Sequence, residues 1–267
     1  MKKTIPLILA VIMIAASLVT LSGCSSKTDS EKIKANGKLV IGVTDYAPFD
    51  YEENGEWIGF DADMARLLGD KLGVATEFIL IDWEQKVTEL KSGKIDLIWN
   101  GMTVTDELAQ NMDFSVPYAQ NSQVIVYNSA NGSYDSIESL QGKKIVAESG
   151  SAGETAATEA FGAENLTALP GQTKALFEVQ AGTADAAVVD FSIAKSLCGT
   201  GDYANLVMID SVRMGEEKFA VGARKGSDLV KTINDLFAET IADGRMAELQ
   251  DKYGKQEDGS NSIALCD

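Results

Sequence analysis

Twice along this chain a short apolar run gives way to an amphipathic stretch that a glycine stops. That alternation constrains the fold more than any other feature. Lys38-Leu39-Val40-Ile41-Gly42-Val43 is apolar enough to be a buried strand. Gly59-Phe60-Asp61 opens a helix with Met64, Leu67, Leu68 and Leu72 on its apolar face, and Gly73 stops it. Strands are expected at residues 76–81, 95–99 and 123–127, and helices at 83–91 and from Thr105 or Asp106 onward. The second half repeats the pattern. A strand at 144–147 leads into Glu148-Ser149-Gly150-Ser151-Ala152-Gly153 and a helix at about 154–161. A helix at 174–181, a strand at 185–189 and a helix beginning at Asp190 follow, then a strand at 219–223 and a long helix at 228–242.

The two halves share a junction. Leu90-Lys91-Ser92-Gly93-Lys94-Ile95-Asp96-Leu97-Ile98 parallels Val179-Gln180-Ala181-Gly182-Thr183-Ala184-Asp185-Ala186-Ala187. A glycine stop is ordinary at any helix-to-strand turn, so the likeness alone proves little. Alternating elements nonetheless imply mostly parallel sheets with helices on both faces. Ligands of such folds sit beyond the carboxyl ends of the strands. Two such lobes facing one another would hold a solute in the cleft between them.

Charge narrows the partners. Lys plus Arg is 23 and Asp plus Glu is 40, a net charge of −17. That balance argues against nucleic acid, whose phosphates need a basic footprint, and against docking of the folded body on an anionic membrane. There is no histidine, so Ser-His-Asp and Cys-His catalysis and histidine metal sites are excluded. Residues 1–23 read as a secretory signal: a basic Met1-Lys2-Lys3, an apolar stretch from Ile5 to Leu21, then Leu21-Ser22-Gly23-Cys24. The last four resemble the lipobox of bacterial lipoproteins, which implies cleavage before Cys24, acylation of that cysteine and anchoring to the membrane through lipid. Residues 24–36 then form a lipidated tether, flexible at about 25–32. Cys198 and Cys266 remain, and an exported protein allows either a disulfide or two thiols.

Seven signposts in order resemble the bacterial extracellular solute-binding family 3, the amino-acid receptors of ABC importers. They are Lys38-Leu39-Val40-Ile41-Gly42, Pro48-Phe49, Gly59-Phe60-Asp61-Ala62-Asp63, Gly93-Lys94-Ile95-Asp96, Trp99-Asn100-Gly101-Met102-Thr103-Val104-Thr105, Asp113-Phe114-Ser115-x-Pro117-Tyr118 and Ala184-Asp185-Ala186-Ala187-Val188-Val189-Asp190. The resemblance runs from about Gly37 to Tyr253. It implies a class II periplasmic-binding-protein-like α/β fold of two lobes joined by two crossover strands near 121–124 and 215–219. Lobe 1 would be residues 37–121 plus 217–255 and lobe 2 residues 122–216, with 256–267 as a C-terminal tail.

The resemblance also places a site. Tyr46 and Phe60 match aromatics that line lobe 1 against the ligand, although Phe60 also suits a staple on the helix it precedes. Asn100, Gly101, Met102 and Thr103 fall on the loop that receives the ligand's ammonium and carboxylate. Ser151 and Ala152 lie where amides at a helix N-terminus favour a carboxylate. Asp190 matches the residue that pairs with the ligand's ammonium, and it equally suits a helix cap. Asp45 either contacts the ligand or shapes a turn, and Trp99 is either cavity wall or core.

One position departs from the pattern. Leu108 stands where an arginine usually grips the α-carboxylate, and Glu148 adds an anion at a place often uncharged or basic. Three explanations stay open: helix amides and Thr103 suffice, the ligand lacks a free α-carboxylate, or a distant arginine such as Arg213 takes part. The expected function is capture of an amino acid or a related cationic, amine-bearing solute by a monomer without cofactor or metal, with delivery to an ABC permease. The alternatives are an enzyme resembling cyclohexadienyl dehydratase, with Glu148 as acid, and a sensor acting in trans.

Overall fold

The apolar runs and amphipathic stretches become the strands and helices of two lobes, in a computed structural model that describes residues 27–266. Lobe 1 begins with α1 (Asp29–Asn36), β1 (Lys38–Val43), a hairpin of β2 (Tyr51–Glu53) and β3 (Glu56–Ile58), α2 (Phe60–Leu72) and β4 (Ala75–Leu80). A single 3-10 turn, Trp83–Gln85, leads into α3 (Lys86–Ser92), followed by β5 (Leu97–Ile98), α4 (Asp106–Asn111) and β6 (Asp113–Phe114). Next come β7 (Ala119–Asn128), β8 (Ile145–Glu148), α5 (Ala152–Phe161), β9 (Leu166–Leu169), α6 (Gln172–Gln180), β10 (Ala186–Asp190), α7 (Phe191–Leu197) and β11 (Leu206–Met208). The chain returns through β12 (Met214–Phe219) to β13 (Gly222–Ala223), α8 (Leu229–Asp243) and α9 (Arg245–Gly254), and closes with β14 (Ala264–Leu265).

The lobe 1 sheet has the order β4-β1-β5-β13-β6, with β1 parallel to both β4 and β5 and β13 antiparallel to its neighbours. The second sheet has the order β11-β7-β10-β8-β9, with β8 parallel to β9 and β10. The first half of β7 pairs with β12 and the second half with β10, so β7 carries the chain into lobe 2 and β12 carries it back. Segments 121–124 and 215–219 lie within these two strands. Short crossings of this kind let two rigid bodies rotate by small dihedral changes at few residues.

Each lobe is filled as its pattern demands. Met64 and Leu68 of α2 are fully buried against Leu39, Ile41 and Leu97. The long α8 adds Ile233, Leu236 and Phe237, with the Phe237 ring meeting Trp99 at 5.7 Å in a T-shaped contact. Trp99 is therefore core. In lobe 2, Ile125, Ile145 and Val188 pack against Ala157 and Phe161 of α5.

Both chain ends depart from the sequence reading. The expected tether at 24–36 is ordered from Asp29 onward. Thr28 and Glu31 form a reciprocal capping box, Gly37 closes the helix in the left-handed conformation, and Ile33 is buried in the lobe 1 core. Asp29 pairs with Arg224 at 3.0 Å, and Ser30 donates its amide to Asp228. The expected tail is likewise docked: β14 pairs with β7 through Ala264 and Gln120, and Ile263 is buried. Residues 1–23 and Cys24 lie outside the described residues.

Arg224 is the tie that holds α1 down. Its guanidinium bonds Asp29, Asp96 and the Leu90 and Ile95 carbonyls. Removing one member of a buried charge network strands the others. Arg224→Met is expected to destabilise the protein by about 3 kcal/mol in urea denaturation, with hydrogen exchange of residues 29–36 accelerating ahead of the rest of lobe 1.

Candidate functional site

The loop after β5 is held from beneath by buried acids. Asp61, in the first turn of α2, accepts the Gly101 amide at 2.8 Å and the Tyr118 hydroxyl at 2.6 Å. Asp50 accepts the Asn100 side-chain amide at 2.9 Å, while the Asn100 carbonyl oxygen takes the Thr44 amide and hydroxyl. Gly101 is in the left-handed region at φ +55°, and a Cβ there would lie 2.3 Å from the Tyr46 ring. Only glycine fits this close approach. The loop thus turns Gly101, Met102 and Thr103 toward lobe 2.

Between the lobes lies a cavity of about 320 Å³, within the range of small-molecule sites. Tyr46, Asn100, Gly101, Met102 and Thr103 line it from lobe 1, and Glu148, Ser151, Ala152 and Asp190 from lobe 2. The lobes are closed on one another. Tyr46 shares a 2.6 Å hydrogen bond with Ser192, Lys86 donates to the Gly150 carbonyl at 2.8 Å, and Thr173 donates to the Asp45 carbonyl at 2.9 Å.

Two expected contacts are not made. Phe60 is fully buried in the lobe 1 core, stacked on Tyr118 at 6.0 Å and edge-on to Phe49. Its amide donates to the Pro48 carbonyl, which turns the ring inward, so the aromatic wall is Tyr46 with Trp83. Asp45 is exposed at the rim and does not line the cavity. Arg213 is also elsewhere, exposed beyond the crossover strands with its guanidinium over Phe191. Leu108 lines the cavity as an apolar wall packed with the cluster around Met102 and Met112.

Asp190 ends β10 and is buried. It accepts from the side-chain amides of Asn121 (2.6 Å), Gln123 and Gln172, and its own amide donates to Gln172 at 2.8 Å. It makes no side-chain cap on α7. Beside it stands Glu217 of β12, which accepts from Asn121, Gln123 and the Thr103 hydroxyl. Burial raises the Asp190 pKa against the pull of its amide partners, and burial with the Asp190 charge pushes Glu217 up to about 7.

Glu148 ends β8, 3% exposed, and one of its carboxylate oxygens has no partner. Burial first, and the Asp190 charge second, push it up to about 8. Ser151 caps α5: its hydroxyl accepts the Glu154 amide at 3.1 Å and donates to the Glu148 carbonyl at 2.7 Å. The first amides of α5, with no carbonyl one turn back, open on the cavity at Ala152.

Sequence reasoning missed Trp83, Lys86, Gln172 and Glu217. Trp83 and Lys86 follow the carboxyl end of β4, the general place for ligand residues in this architecture. That rule was the available signal. Among the described residues Lys86 is the one cation on the cavity wall, which it shares with Glu84, Glu107, Glu148, Glu154 and Asp190.

Comparison with known proteins identifies the family and the fold. The chain belongs to the bacterial extracellular solute-binding proteins, family 3, whose pattern it matches over residues 39–256. It is 30% identical to the arginine-binding extracellular protein ArtP of Bacillus subtilis over 95% of this chain and 98% of that one. It is 27% identical to the L-cystine-binding protein TcyJ of Escherichia coli K12, covering 83% and 84% of the two chains. Among solved structures, an amino acid ABC transporter substrate-binding protein of Streptococcus pneumoniae bound to L-arginine superposes with a TM-score of 0.77 at 31% identity, covering 85% of this chain and 97% of that one. The ancestral amino-acid-binding protein AncCDT-1, a precursor of cyclohexadienyl dehydratase, gives a TM-score of 0.75 at 31% identity, with 84% and 98% covered. The fold is that of class II periplasmic binding proteins.

Glu148, Glu217 and Asp61 all have pKa values raised above their ordinary ones, Asp61 to about 7 through burial. The fold therefore favours their protonated forms. That stabilisation is complete below about pH 4 and is lost as pH rises through about 7 to 8. The melting temperature of the ligand-free protein is expected to fall between about pH 5 and about pH 8.5, and Glu148→Gln to flatten part of the slope. A profile rising across that window would contradict the assignment.

Proposed function

We propose that this chain is the lipid-anchored, extracytoplasmic receptor of an ABC importer, capturing an amino acid or related amine-bearing solute as a monomer. The observation that carries the reading is the acid-rich wall of the closed cavity: among the described residues, five carboxyl groups and one ammonium line a space of about 320 Å³ between two lobes. Such a wall attracts a cation and repels a dicarboxylate. Asp190, fixed by three side-chain amides, offers an oriented acceptor for an ammonium, and Tyr46 offers an aromatic face. The solute favours the closed form because it touches both lobes there. Relatives named for arginine, histidine and cystine binding support the solute class. Binding rather than catalysis fits the wall better. A dehydratase acting on a diacid needs cations for both acid groups, and Lys86 is the one cation lining the cavity.

The test is a thermal-shift panel of cationic, neutral and acidic amino acids, cystine, polyamines and quaternary amines. Cationic or zwitterionic amines are expected to raise the melting temperature and dicarboxylates to leave it unchanged. For the solute that binds, Asp190→Asn is expected to cost about 2–5 kcal/mol of affinity by titration calorimetry. Stabilisation by dicarboxylates alone would overturn the reading. Anchoring is tested separately. Cys24→Ser is expected to move the protein from the membrane to the soluble fraction, and continued retention would refute lipidation there.

A further inference from the structure

The cavity holds two buried titratable groups, an ammonium and a carboxyl, that do not satisfy each other. Lys86 is 6% exposed, and its ammonium donates to two carbonyl oxygens, Trp83 at 3.1 Å and Gly150 at 2.8 Å, with the Trp83 ring 4.9 Å away. Its third N–H has no acceptor, and it forms no ion pair among the described residues. Glu148 is 3% exposed and keeps one carboxylate oxygen without a donor. Each feels the other's field across the cavity. A buried ammonium in direct contact with no carboxylate, and steadied only at a distance by Glu148, Glu107, Glu84 and Asp82, is costly, as is a buried carboxyl oxygen with no donor. Both deficits vanish if one molecule brings a carboxylate to the first and an ammonium to the second.

The surroundings repeat this polarity. Lys86 is received by the Gly150 carbonyl, just before α5, where the amides of Gly150, Ser151 and Glu154 are already taken and those of Ala152 and Gly153 are left to add positive potential on the same side. Leu108, also on the wall, is apolar and gives a carboxylate nothing to hold. We propose that Lys86 is the specificity-determining residue that reads the solute's carboxylate, so that the cargo is a zwitterionic or cationic amino acid and not its decarboxylated amine. This rests on the receptor reading above and goes beyond it by choosing among the amine-bearing solutes that reading admits.

The experiment compares matched pairs that differ by one carboxylate: arginine with agmatine, lysine with cadaverine, and cystine with cystamine. Affinities are measured by titration calorimetry on wild type, Lys86→Met, Lys86→Arg, and Lys86→Met combined with Leu108→Arg. Wild type is expected to prefer the carboxylated member of its best pair by about 100-fold or more. Lys86→Met is expected to collapse that preference to less than about tenfold, Lys86→Arg to keep most of it, and Leu108→Arg to restore it in the Lys86→Met background. The ratio is the readout because loss of the Lys86 bond to Gly150 weakens closure around both members alike. An unchanged ratio in Lys86→Met, or equal affinities in wild type, overturns the inference while leaving the receptor reading intact. If wild type binds none of the six, the amine-bearing solute that the thermal-shift panel identifies is paired with its decarboxylated amine and read in the same way, and failure to bind any amine-bearing solute of that panel overturns both.

Discussion

The carboxylate of Asp190 is the interaction on which the site is built. Two of the amides that hold it, from Asn121 and Gln123, come from the strand that crosses between the lobes, and the third comes from α6 of lobe 2. The same two crossover amides also bond Glu217 on the returning strand, and Glu217 takes the hydroxyl of Thr103 from lobe 1. One buried network thus joins both lobes and both crossings. Such a network in a low-dielectric interior restricts its members to few arrangements, because each unmade bond is expensive, and in this one the Gln123 side-chain oxygen is the one amide atom left without a partner among the described residues. The acid on the cavity wall is therefore held by residues of the two strands that cross between the lobes.

The lobe 1 wall follows the same logic. Asp61 and Asp50 are carboxylates enclosed in protein, and they use that position to orient Gly101 and Asn100. Their raised pKa values express the cost of keeping a charge there. The aromatic cluster of Tyr46, Phe49, Phe60, Tyr118 and Phe219 fills the space behind, leaving Tyr46 as its cavity-facing member.

Much of this could be read before any coordinates. Alternating runs stopped by Gly73, Gly93 and Gly182 define the α/β lobes, and family resemblance places Tyr46, Gly101 and Asp190 on the cavity. The failures have physical causes. Phe60 opens a helix beside the cleft, yet its amide bond to Pro48 directs the ring away, and no spacing rule carries that information. Lys86 precedes Val87 and Leu90 on a helix read for its apolar face alone, so its place just beyond the carboxyl end of β4 went unused. Glu217 sat on a segment read as a connection. The ends were misjudged because composition marks 25–32 as polar, whereas docking of α1 depends on Ile33 and on Arg224, nearly two hundred residues away in sequence.

Strand β14 has a mechanical consequence. It lies along β7 at Ala119 and Gln120, the residues whose other edge is taken by Phe219 and Lys218 of β12. At its lobe 1 end the joint is therefore a three-ply ribbon, stiffer than the two-ply stretch beyond. Past the strap, Asn121 to Gln123 face the irregular register from Met214 to Glu217, where the ladder of β7 and β12 is interrupted. The crossing strands and the cradle of Asp190 thus share Asn121 and Gln123, so the strap formed by Ala264 and Leu265 abuts the residues that hold the cavity's acid.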